Sequence, residues 1–92
     1  MSNRFCANPV EMRKFSRYLS IRTNELNTKI KSLEAKLAGL SEKWKDPVSD
    51  SFRKGFQESM ISLKQFINIS TVTSQHLIKK AELLEKYLDT YR

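Results

Sequence analysis

Trp44-Lys45-Asp46-Pro47 lies near the midpoint of a 92-residue chain and decides how the rest is read. Asp46 is placed to cap a helix and Pro47 to occupy its first turn, where a missing N–H costs nothing. The residue before a proline disfavours the α region, so a helix arriving from the N-terminal side must stop before this pair. Long segments with helical periodicity flank the turn and contain no comparable breaker. The chain is therefore expected to be an all-α antiparallel two-helix hairpin forming one domain over residues 1–92. The expected parts are a flexible arm over residues 1–7, a helix over about 8–43, a turn at about 42–46 and a helix over about 47–90.

Asn8-Pro9 opens the first helix with the same chemistry, and Glu11 suits the positive end of its dipole. The large side chains then run Phe15, Leu19, Leu26, Ile30, Leu33, Leu37, Leu40 and Trp44, in steps of three and four once Arg22 fills the gap. That period belongs to one face of an α-helix and excludes a strand. Gly39 marks either fraying or a close approach to the second helix. The second stripe reads Phe52, Phe56, Met60, Leu63, Ile67, Ser70, Ser74, Leu77, Ala81, Leu84, Leu88 and Tyr91. From Met60 onward it alternates three and four in a heptad pattern. Its centre is a polar patch of small residues, which reads either as a close helix–helix approach or as a weak coiled-coil section facing water.

The expected interface residues are Phe15, Leu19, Leu26, Leu33, Leu37 and Trp44 on the first helix, and Phe52, Phe56, Met60, Leu63, Leu77 and Leu84 on the second. Leu33 and Leu77 are expected at the central seam. Apolar residues off the stripes, including Met12, Tyr18, Ile21, Phe66, Ile69, Val72 and Leu83, would meet water in a lone hairpin. Pairing two hairpins into a four-helix bundle would cover most of them, so a dimer is expected.

Composition narrows the function. Apolar residues make up 39% of the chain and charged residues 29%, and no apolar run reaches the roughly 18 residues of a membrane span. Met1–Cys6 contains no apolar stretch, so no Sec-type signal peptide is expected and any export would use another route. Cys6 and His76 are each the only residue of their kind, which leaves no internal disulfide, metal site or cofactor to expect. Only Gly39 and Gly55 are glycines, and neither belongs to a phosphate loop. Asp46, Asp50, Ser49 and Ser51 near the turn are cap and first-turn residues, so catalysis is not expected. Asn68-Ile69-Ser70 matches a glycosylation sequon by chance, inside a helix.

The net charge is +7 and is uneven: residues 1–45 carry ten Lys or Arg against four Asp or Glu, residues 46–92 seven against six. Arg13, Lys14, Arg17 and Arg22 read as a basic face on the first helix, suited to an acidic protein partner. Phosphate binding by charge alone is the competing reading, although no nucleic-acid-recognition motif accompanies it.

Several residues together resemble the WXG superfamily, the small helical hairpins of type VII secretion and related systems. They are the Asn8-Pro9-x-Glu11 helix start, Trp44 at the central turn, and Phe52 and Phe56 following at helical spacing; the likeness covers nearly the whole chain. Asp46 stands where the motif has glycine, giving the Trp-x-Asp variant. Secreted members often end in Tyr-x-x-x-Asp/Glu, whereas Tyr87 is followed four residues later by Tyr91. The resemblance implies an antiparallel homodimer, or a pairing with a related hairpin or a toxin's targeting domain. It implies an export substrate or an adaptor in the cytoplasm, and it makes Trp44, Asp46 and Pro47 the turn motif. Asp46-Pro47-Val48-Ser49 also resembles the turn of secretion-needle subunits, whose filament would be the alternative assembly.

Overall fold

The computed structural model describes residues 8–90, and the expected arm at residues 1–7, together with Cys6 and Tyr91, lies outside them. Two helices, α1 (Pro9–Ser41) and α2 (Pro47–Thr90), run antiparallel as a hairpin, and no strand occurs among the described residues. The body measures 68 × 24 × 14 Å, so it is barely thicker than one helix with its side chains.

Local chemistry sets both helix starts. Asn8 Oδ1 accepts hydrogen bonds from the backbone N–H of Val10 at 2.9 Å and of Glu11 at 3.3 Å, with Pro9 at the first helical position. Asp46 Oδ1 accepts from Ser49 N–H at 2.8 Å, with Pro47 first in the helix that follows. Each cap satisfies donors that the helix itself leaves free.

The seam between the helices differs from the apolar stripe. On α1 and into the turn the most enclosed line is Pro9, Ser16, Thr23, Ile30, Leu37 and Trp44, a strict interval of seven. On α2 two such lines run together, through Ser49, Phe56, Leu63, Ser70, Leu77 and Leu84, and through Arg53, Met60, Ile67, Ser74 and Ala81. Ile30, Met60 and Ala81 are the buried apolar residues among those described, while Ser16, Thr23, Ser49, Ser70 and Ser74 are the buried polar ones. Ser16 Oγ donates to the Ser74 carbonyl at 2.8 Å across the seam. Ser70 and Ser74 of the polar patch on α2 thus lie against α1, while Thr71, Thr73, Gln75 and His76 face water. Small side chains on both helices let the backbones come close enough for that bond, which long side chains would prevent.

Phe15 and Arg22 are exposed, and Ser16 and Thr23 hold the seam positions beside them. The sequence stripe had followed bulk, whereas the close approach selects small residues. Leu33, Leu40 and Phe52 lie at the seam's margin, each 49% exposed, and Leu19, Leu26, Leu37, Phe56, Leu63, Leu77 and Leu84 are half-buried. A Cβ added at Gly39 would meet nothing within 4 Å, so no close approach explains that glycine.

Two cross-helix ion pairs fix the register. Arg13 grips Glu85 with two hydrogen bonds, at 2.9 and 2.7 Å, and Lys64 meets Glu34 at 3.0 Å. Arg13 and Glu34 are 21 residues apart, as are Lys64 and Glu85. That is three heptads on each helix, so the pairing keeps step along most of the hairpin.

Candidate functional site: the turn cluster and the open apolar face

At the turn, the side chains and backbone of residues 44–53 form one network. Trp44 indole N–H donates to Asp46 Oδ2 at 3.0 Å while the other carboxylate oxygen caps α2. The Trp44 carbonyl accepts from Ser49 Oγ at 2.7 Å and from Arg53 Nη2 at 2.9 Å, and Arg53 also donates to Ser49 Oγ. Ser49 is fully buried by this arrangement. Arg53 Nε is a buried donor without a partner among the described residues. The Trp44 ring lies 6.2 Å from Phe52 between centroids, and Phe52 lies 6.0 Å from Phe56. Such tilted pairs suit the edge and face charges of aromatic rings.

Asp46 therefore does two jobs that glycine lacks the atoms for, since one carboxylate holds both the helix start and the tryptophan. No residue described has a positive φ, so nothing in the backbone of this turn requires glycine. The sequence located Trp44, Asp46 and Pro47 and gave Ser49 as a first-turn residue only, without its bond to the Trp44 carbonyl or its partner Arg53. Their signal was positional: Arg53 and Ser49 are four apart on one face of α2, directly after the cap.

Of the four expected basic residues, Arg13, Lys14 and Arg17 line one shallow groove with Val10, Tyr18 and Ile21, and Arg22 stands apart from them. Arg13 is engaged with Glu85 at the open end of the hairpin. Lys14 lies 3.7 Å from Glu11, both well exposed. Arg22 pairs with Glu25 and sits 5.0 Å above the Tyr18 ring, on the side of α1 away from Arg13. Arg17 is exposed. The Arg13 guanidinium holds the Glu85 carboxyl below its ordinary range through their hydrogen bonds, and Glu85 in turn raises Arg13, partial desolvation opposing both shifts.

The hairpin's two broad faces differ in chemistry. Both cross-helix ion pairs lie on one of them. Residues four beyond each α1 seam position point to that side: Arg13, Ser20, Asn27, Glu34 and Ser41. Residues three beyond point to the other: Met12, Leu19, Leu26, Leu33 and Leu40. On α2 the flank opposite Lys64 and Glu85 carries Phe52, Phe66 and Tyr87, and beyond it Ile69 and Leu83, all about half exposed or more. One face is thus mostly polar and tied by ion pairs, with Ile61 the exposed apolar residue beside the Lys64–Glu34 pair, and the other is largely apolar and open.

The match to known families follows this geometry. The family model described as "Proteins of 100 residues with WXG", WXG100, covers residues 4–87. The chain belongs to the WXG100 family. WXG100 proteins are small, helical and secretion-associated, and the helical hairpin with Trp44 at its turn accords with that membership. No curated protein and no solved structure gives a significant match. Among the described residues, no group of three His, Cys, Asp or Glu could hold a metal ion, and no helix is long and apolar enough to cross a membrane.

Proposed function

We propose that this WXG100 chain is a non-enzymatic interaction module whose open apolar face docks onto another helical hairpin, completing a four-helix bundle. It acts in type VII secretion, as an exported substrate or as the adaptor that completes a larger protein's helical targeting domain. One observation carries the reading: among the described residues the buried apolar core is Ile30, Met60 and Ala81, while Phe15, Leu33, Leu40, Phe66, Ile69, Leu83 and other large apolar side chains are about half exposed or more. Three buried apolar side chains are too few to offset the entropy of ordering two long helices, and a docked partner would supply the missing apolar burial. Trp44 and the residues around it cap one end of that bundle.

Leu33→Asp tests it. Leu33 is half exposed in the hairpin, so the variant should keep its helicity and lose about 1–2 kcal/mol of hairpin stability. In the complex the new carboxylate would be buried unpaired, and the partner should be lost. Native mass spectrometry of the chain purified from its host reads the outcome. A Leu33→Asp chain that still carries its partner refutes docking through this face. A wild-type chain with no helical hairpin bound, of its own kind or another, refutes the reading as a whole.

A further inference from the structure

The open apolar face carries charge of one sign. On α1 the leucines alternate with cations along a single ridge: Arg22 and Lys29 bracket Leu26, and Lys29 and Lys36 bracket Leu33. On α2, Lys80 occupies the corresponding flank. All four cations are exposed. The positions that form this face on either helix include no Asp or Glu. The nearest carboxylate, Glu25, lies at the ridge's outer edge and already binds Arg22. The hairpin's cross-helix acids, Glu34 and Glu85, are on the opposite face and are paired there with Lys64 and Arg13.

We infer that the occupant of this face is a different helical hairpin, apolar along its centre and flanked by Asp and Glu, and not a second copy of this chain. The inference rests on the docking proposed above and names the partner's chemistry. Two copies placed face to face bring cation rows together in any register, because neither copy offers an acid there. Like charges set opposite one another oppose association, and complementary rows favour it and select the partner. A lipid surface with anionic headgroups would satisfy the charges equally well. The spacing favours a protein: along the same α2 flank Phe52, Gly55, Ser59, Ser62, Phe66, Ile69 and Thr73 follow steps of three and four. The small Gly55, Ser59 and Ser62 between the large Phe52 and Phe66 leave a hollow for the side chains of a facing helix, which fluid acyl chains do not need.

A charge-inverted version of the chain supplies the probe. The triple variant Lys29→Glu, Lys36→Glu, Lys80→Glu keeps the apolar surface and presents acids instead. All three sites are exposed, and circular dichroism establishes that helicity is retained. Each exposed opposite-charge pair is worth a factor of about 1.4 to 5 in association, so three pairs should tighten the mixed complex about tenfold over wild-type self-association. Sedimentation equilibrium measures both at about 0.1 M and about 1 M salt, where screening lengths are about 10 and 3 Å. The mixed complex should weaken with salt, and wild-type self-association should strengthen as its repulsion is screened. Wild-type dimers as tight as the mixed complex would overturn the charge inference and leave docking through the face intact. No association in any combination would overturn the docking proposal itself. Binding to phosphatidylserine-containing vesicles tighter than to the variant would give the face to lipid and overturn both.

Discussion

Ser74→Leu sets the apolar pattern of α2 against its packing. By heptad logic Ser74 is a defect in the stripe, and leucine would repair it. In the structure Ser74 is 7% exposed and its carbonyl accepts the Ser16 hydroxyl at 2.8 Å. Ser16 itself is 4% exposed, so no space exists opposite for three additional carbon atoms. Overfilling a packed seam costs about 1–3 kcal/mol. If the helices are pushed apart, the Ser16 hydroxyl also loses its acceptor, adding about 1 kcal/mol. A net loss of about 2 kcal/mol should lower the melting temperature by about 8–16 °C for a domain of this size. Thermal unfolding followed by circular dichroism reads this directly, with Gln75→Leu as the neighbouring exposed control, expected within about 0.5 kcal/mol of wild type. An unchanged or raised melting temperature for Ser74→Leu would show that the helices are not held at close approach by their small residues.

Two further predictions concern the ends of the hairpin. Asp46→Ala removes the cap on Ser49 N–H and the acceptor of the Trp44 indole, and should cost about 0.5–2 kcal/mol. Urea unfolding checks it, and a loss near zero would mean that the turn holds without the carboxylate. Glu85 has its carboxyl lowered from 4.5 by Arg13 when folded. Its stabilising contribution is therefore present above pH 4.5 and is lost as pH falls through the depressed folded value. Glu85→Gln should make the melting temperature less sensitive to acid below that point, and an unaltered acid profile would remove the ion pair from the account of the open end.

The Asn8-Pro9 and Asp46-Pro47 pairs made the hairpin legible in the residues alone. Capping and proline geometry act within four residues, so neighbours in sequence suffice to specify them. Helical period was equally legible, because it repeats every turn. The face that period would bury was legible only in part. From Met60 to Leu84 the stripe lies on or beside the seam, whereas Phe15 and Arg22 gave way to Ser16 and Thr23. A count of seven backwards from Trp44 passes through Leu37, Ile30, Thr23, Ser16 and Pro9, so the seam's phase was present in the sequence. It was hidden because serine and threonine do not register as core when burial is inferred from hydrophobicity.

The grouping of charges was legible only in part. Arg13, Lys14, Arg17 and Arg22 are near in sequence, and the first three line one groove, yet at about 100° per residue Arg22 projects to another side of α1. Whether Arg13 is free or paired depends on Glu85, 72 residues away. The sequence by itself determined where the helices begin, where the chain turns back and how much apolar surface it must hide, since these follow from local backbone chemistry and composition. Only the tertiary structure decided which residues meet across the seam. It also decided which cations are already paired, and that much of the remaining apolar surface lies on one face. These depend on the rotation of each helix about its axis, which is set by how closely two backbones can approach.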